Sequence, residues 1–368
     1  MKHCDKLAVT VNPTNQCNLR CEYCMAASWC EQANPITISL EFAKQGIKDA
    51  LMGIPTRIKA RALRFFSPGE PTQQMAVLRE CVEFARSINP GIETELQTNG
   101  LFKSSEDTIW IGRNFDVVWF SLDGPPSVND THRRDEENRG RTVEIEANLQ
   151  EVAQSTAVGI RSTIVEETIM DQVSVVEYYH HFGIKSLAFN PVIRPIYRNA
   201  DRNNEVTRVS IMKFAEGFLP AYNRAQELDI HLSSALTFNF DEPTNVVCRS
   251  CVPMPQLNPD GSVSSCDMAL YHDTMESLRC FLYGSWDAET GIVHYDQERI
   301  ANLRRRNLQN MPKCSGCNIA KFCAGGCAGR VAYQTGSIYD IIPEYCEATR
   351  YLAKHMELGQ KRMLYTHP

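Results

Sequence analysis

The chain of 368 residues has no uninterrupted apolar run of the roughly 20 residues that a helix needs to cross a bilayer. Its first residues lack the apolar stretch and the small-residue cleavage site of a signal peptide. It also lacks a basic tract, and its formal net charge is −6, which argues against a nucleic-acid partner. We therefore expect a cytoplasmic protein that binds neither membranes nor nucleic acid.

Cysteine is absent between Cys81 and Cys248, although the chain has 15 cysteines. Most of them fall into one group near the N-terminus and one in the last third of the chain. In a reducing compartment, cysteines grouped in this way indicate bound metal rather than disulfides.

Residues 1 to about 195 alternate strand-like and helix-like patterns. The candidate strands are residues 7–11, 62–66, 92–97, 117–122, 159–165 and 186–190, and helical patterns occupy 39–51, 143–153 and 173–182. Such repeated units predict a parallel sheet with helices outside it. Six units are too few for a closed eight-fold barrel, so we expect an α/β fold built as a partial (β/α)6 TIM barrel.

The pattern changes in the last third of the chain. A long helical stretch at 206–228 contains Pro220, which predicts a kink or a break. Beyond residue 240 the segments are short and rich in Cys, Gly and Pro, and Asn-Pro-Asp-Gly at 258–261 predicts a turn between extended pieces at 252–257 and 262–266. We place a domain boundary near residue 245, between a barrel with its linking helix (1–245) and a cysteine-rich domain with a C-terminal helix (246–368).

Cys17, Cys21 and Cys24 form a C-x3-C-x2-C loop directly after the first predicted strand. Three thiolates can bind a four-iron cluster but leave one iron without a protein ligand, and an open metal position is where chemistry takes place. The competing interpretation is a zinc knuckle with Cys30 or Cys4 as the fourth ligand.

Polar side chains follow the ends of the next strands, where barrel active sites lie. Arg161, on the fifth strand, can pair with a ligand carboxylate. The succession on strand after strand favours one shared polar ligand over separate strand-end groups. These candidates are Gly69, Glu70, Gln97, Thr98, Asn99, Ser121, Asp123 and Arg161.

The segments CNLRCEYC (17–24), SPGEP (67–71), ELQTNG (95–100) and SLDGPP (121–126) occur in this order. With them, residues 5–195 resemble the radical S-adenosylmethionine superfamily. The resemblance implies that a reduced cluster cleaves S-adenosylmethionine to a 5′-deoxyadenosyl radical, which abstracts hydrogen from an unactivated carbon. The protein would exclude water and aim the radical.

The same resemblance implies a role for each matching residue. Cys17, Cys21 and Cys24 would bind a 4Fe–4S cluster whose open iron chelates the amino and carboxylate groups of S-adenosylmethionine. Tyr23 would back the adenine, Gly69 and Glu70 would lie near the methionine amine, and Ser121, Asp123 and Arg161 would help hold the ribose and carboxylate. The family usually has Gly-Gly-Glu where this chain has Pro68-Gly69-Glu70. Because Pro68 has no N–H, we expect a somewhat different hold on the methionine moiety.

The C-terminal cysteines have a distinctive spacing of C-x2-C-x5-C-x3-C over 314–327, followed by Cys346 and preceded by Cys248, Cys251 and Cys266. Eight thiols could also make two structural zinc sites. The arrangement, over about residues 245–350, resembles the SPASM domain of peptide-modifying radical enzymes. That resemblance implies two auxiliary clusters, the first bound by Cys248, Cys251, Cys266 and Cys327 and the second by Cys314, Cys317, Cys323 and Cys346.

Asp267 directly follows Cys266. In the sulfatase-maturing relatives an aspartate at this position acts as a base, so Asp267 is a candidate to take a proton from the substrate. A turn residue that caps backbone amides is the equally weighted alternative.

The resulting hypothesis is a radical enzyme with three 4Fe–4S clusters that modifies a peptide or protein oxidatively, by a cross-link, a backbone excision or a side-chain oxidation. The expected partners are the substrate and an electron donor such as flavodoxin or ferredoxin. Because the radical motif starts at Cys17, we expect no room for a preceding precursor-binding domain, so the enzyme would use a separate recognition protein or read a short motif directly. A sulfatase-maturing enzyme, a small-molecule radical dehydrogenase and a non-catalytic zinc or electron-carrier protein are the alternatives.

Overall fold

The computed structural model describes residues 7–30, 34–192 and 209–360. Eleven strands occur in this part of the chain. They are β1 (Ala8–Val11), β2 (Ala62–Phe65), β3 (Glu93–Thr98), β4 (Val117–Ser121), β5 (Ala157–Ile164), β6 (Ser186–Pro191), β7 (His231–Ser233), β8 (Gln256–Leu257), β9 (Ser262–Ser264), β10 (Leu282–Asp287) and β11 (Ile292–Tyr295).

Helices connect most of these strands. They are α1 (Ala27–Cys30), α2 (Leu40–Met52), α3 (Met75–Ile88), α4 (Ser105–Asn114), α5 (Pro126–His132), α6 (Thr142–Ala153), α7 (Gln172–His180), α8 (Ile211–Glu227), α9 (Gln297–Arg305), α10 (Ala320–Cys323), α11 (Ala328–Thr335) and α12 (Pro343–His355). Short 3-10 turns lie at Pro71–Gln74, Glu166–Thr168, Arg249–Cys251, Glu276–Phe281, Leu308–Asn310 and Pro312–Cys314.

All described strands belong to one sheet, in the order β11-β10-β9-β8-β1-β2-β3-β4-β5-β6-β7. Strands β1 to β7 run parallel to their neighbours, with helices in the connections. Their side chains are buried, as expected for strands covered on both faces. The partial-barrel prediction is confirmed, and all six predicted strands are present, with ends shifted by at most two residues. Strand β7 was missed because three residues carry too little pattern to be recognised.

The cysteine-rich region continues the sheet of the barrel. Strand β8 pairs in parallel with β1, and β8 to β11 pair antiparallel. The turn predicted at 258–261 joins β8 to β9, and the Gly261 N–H donates to the Asn258 carbonyl at 3.1 Å. The division near residue 245 stays a prediction, while backbone hydrogen bonds join the two proposed parts at β1.

Helix α8 is continuous through Pro220, so the predicted break there does not occur, while a kink at this residue stays a prediction. Pro220 is exposed, so the carbonyl it leaves unpaired can bond to water. The opposite face buries Phe214, Phe218 and Ala221, which holds the helix together against the cost of the proline. Residues 206–208, which the prediction included, lie outside the described residues.

The core lies between the sheet and the helices that cover it. Cys81, on α3, is fully buried there, in agreement with the expectation that it is a core residue. Within the described residues, none of the helices has the length and apolar character to cross a membrane.

Candidate active site

A cavity of about 480 Å3 opens at the carboxyl ends of the parallel strands. Residues from both groups of cysteines line it together with most of the polar strand-end candidates. The predicted site residues in its wall are Cys17, Cys21, Tyr23, Cys24, Gly69, Glu70, Gln97, Thr98, Asn99, Ser121, Arg161, Cys248, Cys266, Asp267 and Cys327.

The first cysteine loop lies between β1 and α1, and the end of β3 holds it in place. Asn99 Nδ2 donates to Asn18 Oδ1 at 2.8 Å and approaches the sulfur of Cys17 at 3.8 Å. The Leu19 N–H points to the same sulfur at 3.5 Å. The loop is thus tied to the end of β3 by Asn99, which contacts both Cys17 and Asn18.

The turn after β2 packs directly on this loop. The Glu70 N–H donates to the Gln16 carbonyl at 2.7 Å. A Cβ atom at Gly69 would lie 2.2 Å from that same carbonyl oxygen, so a larger residue would separate the turn from the loop. The Pro68 carbonyl accepts a hydrogen bond from the Cys30 thiol at 3.0 Å, and the different hold on the methionine moiety expected from this proline stays a prediction.

The Glu70 carboxylate is 2 % exposed and accepts four hydrogen bonds. Two come from the N–H and hydroxyl of Thr72, at 3.0 and 2.8 Å. The Thr98 hydroxyl and the Asn99 N–H donate at 2.7 and 2.6 Å. Burial raises the pKa of Glu70, and these donors act against that effect. Glu70 therefore ties the ends of β2 and β3 together from a position in the cavity wall.

Asp123 does not line the cavity, but its hydrogen-bond partners Tyr23 and Arg133 do. Its carboxylate accepts from the Tyr23 hydroxyl and from Arg133 Nε at 2.9 Å. The Thr163 N–H donates to it at 2.8 Å. The Arg133 guanidinium lies 5.4 Å from the Tyr23 ring centre. Asp123 thus sets the positions of Tyr23 and Arg133, and its direct contact with a ligand stays a prediction.

The chemistry of the first three thiols fits a bound iron cluster. Burial raises the pKa of Cys17, and burial opposed by Arg133 raises the pKa of Cys21 to about 12. A bound metal cation would compensate the charge of such buried thiols when they ionise. Among the described residues, no three His, Cys, Asp or Glu side chains surround a common single-ion position. In a four-iron cluster each thiolate binds a different iron.

The C-terminal cysteines separate into two sets by proximity. Cys266 interacts electrostatically with Cys327 and Cys248, and Cys248 forms a hydrogen bond with Cys251 that lowers the pKa of Cys251 to about 7. A Cβ atom at Gly329 would lie 2.8 Å from the Cys266 sulfur. The glycine thus leaves the space beside this sulfur open.

Four further cysteines form the second set. Cys323 interacts with Cys346 and Cys314, and Cys346 with Cys314 and Cys317. Their neighbours therefore match the second ligand set that the resemblance implied. The ligand assignments themselves stay predictions.

Asp267 lies in the cavity wall between two arginines. Arg64 donates to both of its carboxylate oxygens, at 3.1 and 3.0 Å, and Arg249 donates at 2.8 Å. Burial alone would raise the pKa of Asp267, but Arg64 and then Arg249 outweigh it and hold the pKa well below its usual range. The carboxylate is therefore ionised at neutral pH and is a weak base while both arginines hold it.

The sequence analysis did not identify three arginines that bind the carboxylates of this site. They are Arg64 and Arg249, which hold Asp267, and Arg133, which holds Asp123. Arg64 lies in the otherwise apolar strand β2, and an arginine in such a strand was a usable signal. Arg249 lies between Cys248 and Cys251 and donates to Gln256 Oε1 at 2.6 Å. Arg133 carried no local signal, because its partners Tyr23 and Asp123 lie elsewhere in the sequence.

No family model matches the chain. A cysteine-type anaerobic sulfatase-maturating enzyme of Clostridium novyi (strain NT) is 21 % identical over 339 residues, which are 87 % of each chain.

Two solved structures have a similar fold. Native anSMEcpe with bound AdoMet superposes with a TM-score of 0.72 at 17 % identity, over 95 % of this chain and 96 % of that chain. SuiB of Streptococcus suis, bound to S-adenosylmethionine, superposes with a TM-score of 0.63 at 13 % identity, over 94 % of this chain and 78 % of that chain. The similarity therefore includes both the barrel and the cysteine-rich region.

Proposed function

We propose that the chain is a radical S-adenosylmethionine enzyme with a SPASM-type cysteine region and that it oxidatively modifies a peptide or protein, because it is similar to anaerobic sulfatase-maturating enzymes and to SuiB. The observation that carries the proposal is a single cavity. Its wall holds Cys17, Cys21 and Cys24 on one side and Cys266, Asp267 and Cys327 on the other.

The barrel side of this cavity would hold the cluster and S-adenosylmethionine. When bound, the pair supplies one-electron cleavage of the sulfonium and abstraction of a substrate hydrogen atom. Tyr23, held by Asp123, would support the adenine. Gly69 and Glu70, fixed against the cysteine loop, would face the methionine moiety, while Ser121 and Arg161 at neighbouring positions of β4 and β5 would hold the ribose and carboxylate.

The volume of the cavity supports a small-molecule site with room for part of a substrate. It lies within the range of about 300–1,000 Å3 that is usual for such sites. A structure of anSMEcpe contains both AdoMet and the Kp18Cys peptide, and SuiB has been solved with its precursor peptide SuiA. These complexes support a peptide as the substrate class, whereas a small-molecule substrate remains the alternative.

The C-terminal side would hold two auxiliary clusters bound entirely by protein. Cys248, Cys251, Cys266 and Cys327 would bind the first, next to the cavity, and the other four cysteines the second. Clusters without an open iron suit electron transfer, so they would accept the electron left on the substrate after hydrogen abstraction. An external donor of the flavodoxin or ferredoxin class would supply the initial electron. The enzyme would capture its substrate either through a separate recognition protein or by reading a short motif directly.

The geometry favours Asp267 as an anion that holds Arg64 and Arg249 at the cavity wall. A base must be ionised, and Asp267 is, but three charge-assisted hydrogen bonds stabilise the carboxylate relative to its protonated form. It could accept a substrate proton only after at least one arginine had moved away.

Formylglycine generation, the sulfatase-maturing activity, is a second candidate function. The cysteine-type relative and the position of Asp267 after Cys266 favour it. The SPGEP turn and the close pair Cys248–Cys251 differ from that branch and argue for another peptide modification.

The test begins with anaerobic enzyme, dithionite and S-adenosylmethionine. We expect about twelve irons per chain, from three four-iron clusters, and release of 5′-deoxyadenosine. Zinc in place of iron, with no nucleoside, would overturn the proposal in favour of a structural metal protein. Adding a Cys-containing sulfatase peptide then separates the two functions, because the aldehyde product is expected only from a sulfatase-maturing enzyme.

A further inference from the structure

Arg306, which directly follows α9, is completely buried. Its guanidinium donates to four backbone carbonyls. Nε reaches Ile338 at 3.1 Å, Nη1 reaches Ala324, and Nη2 reaches Gly325 at 2.9 Å and Gly326 at 2.8 Å. Within residues 7–30, 34–192 and 209–360, no carboxylate lies at ion-pair distance from this guanidinium.

The three carbonyls from 324–326 belong to a turn between Cys323 and Cys327. Ala324, Gly325 and Gly326 have φ angles of 51°, 80° and 71°, so successive residues adopt the left-handed conformation. The turn presents its carbonyls to Arg306, and the Gly326 N–H donates to the Cys323 carbonyl at 3.1 Å. Arg306 therefore fixes a segment whose two ends belong to different cysteine sets.

The Arg306 guanidinium lies beside both sets, because three of the carbonyls that it binds belong to residues 324–326, directly between Cys323 and Cys327. A buried cation without a carboxylate partner is costly unless other negative charge compensates it. Thiolates bound to iron would supply that charge on both sides.

We infer that Arg306 is a positioning residue that holds the turn joining the two auxiliary clusters, and that its buried charge makes both clusters easier to reduce. The inference rests on the proposed function, because it requires those clusters. Each cluster gains an electron on reduction, so a nearby cation in a poorly screened interior stabilises the reduced form more than the oxidised form.

The experiment is a redox titration of full-length enzyme followed by electron paramagnetic resonance. Substituting Cys17, Cys21 and Cys24 by alanine in a parallel sample assigns the auxiliary signals. Arg306→Gln removes the charge, Arg306→Lys keeps it with fewer donors, and the exposed neighbour Arg305→Gln is the matched control. We expect Arg306→Gln to make auxiliary-cluster reduction at least tenfold less favourable, which for a one-electron couple is a 59 mV lower potential.

We expect Arg306→Lys to shift the potentials less than Arg306→Gln, and Arg305→Gln to leave them unchanged because solvent screens its charge. Full iron content with unchanged potentials in Arg306→Gln would overturn the inference. If Arg306→Gln loses the auxiliary clusters, retention by Arg306→Lys at near-normal potentials supports the role of the charge, and loss by both variants overturns it. About four irons in the unsubstituted enzyme, from a single cluster, would overturn the proposed auxiliary clusters as well.

Discussion

The four hydrogen bonds of Glu70 make a quantitative test of how the cofactor turn is held. In Glu70→Gln the amide group replaces one carboxylate oxygen and brings its N–H toward another donor. A hydrogen bond to a charged group contributes about 1.5–3 kcal/mol, and an unsatisfied buried group costs about 1–3 kcal/mol. Because Glu70 is 2 % exposed, water cannot replace the lost partner.

We therefore expect Glu70→Gln to lower the free energy of unfolding by about 3 kcal/mol. Thr72→Val removes one hydroxyl donor at 2.8 Å and should cost about 1.5 kcal/mol. Glu80→Gln is the control. It makes the same substitution at an exposed ion pair with Lys44 and should leave the free energy of unfolding nearly unchanged, because solvent screens such a pair.

The assay is urea unfolding of anaerobic protein at neutral pH, with the dissociation constant of S-adenosylmethionine measured on the same samples. The midpoint should fall in the order Glu80→Gln, Thr72→Val, Glu70→Gln. Weaker binding should accompany the loss of stability, since the turn then leaves the cysteine loop. An unchanged midpoint in Glu70→Gln would refute this reasoning. If binding were nevertheless lost, Glu70 would act by direct contact with the ligand.

Three further predictions concern the cofactor and cluster sites. Cys21→Ala should abolish 5′-deoxyadenosine release, whereas Cys327→Ala should retain some release but form no modified substrate. Coupled turnover in Cys327→Ala would contradict the assignment of Cys327 to the first auxiliary cluster. Asp267→Asn should retain 5′-deoxyadenosine release, slow product formation and lower the free energy of unfolding by about 2 kcal/mol. Because the folded-state pKa of Asp267 is lowered, the stabilisation by its ion pairs is present above the unfolded pKa of about 3.9 and is constant through pH 6–9. Slower product formation with unchanged stability would instead indicate that Asp267 acts as a base. Gly329→Ala would place a methyl group 2.8 Å from the Cys266 sulfur and should lower the iron content of the auxiliary clusters. The control Gly91→Ala meets no such crowding and should keep its iron; equal iron in both variants would contradict the prediction.

Much of the barrel could be predicted from the sequence because its signals are local. Apolar strands of four to eight residues alternate with helical periodicity, and most of the polar candidates lie at or directly after the strand ends. The carboxyl ends of parallel strands meet at one edge of a sheet, so the meeting of Glu70, Thr98 and Asn99 was foreseeable. Their hydrogen bonds were not, because rotamers and turn geometry decide them.

The interpretation of Asp267 shows where local information ends. The sequence places Asp267 beside Cys266 and suggests a base, while its partner Arg64 lies 203 residues away. Whether a carboxylate is free or ion-paired depends on charges that the chain brings near it from other elements. In the same way, Pro220 predicts a kink or a break, and the packing of α8 keeps the helix from breaking there.

The sequence by itself determined the spacing of the cysteines and the order of strand-end motifs, and with them the resemblance to radical enzymes. Only the tertiary structure decided which thiols are neighbours, that β8 joins β1 in one continuous sheet, and that Arg306 lies between the two C-terminal sets. The physical reason is the distance along the chain over which each kind of interaction acts. Periodicity and spacing act within one or two elements, whereas burial, electrostatic neighbours and the pairing of distant strands exist only once the whole chain is packed.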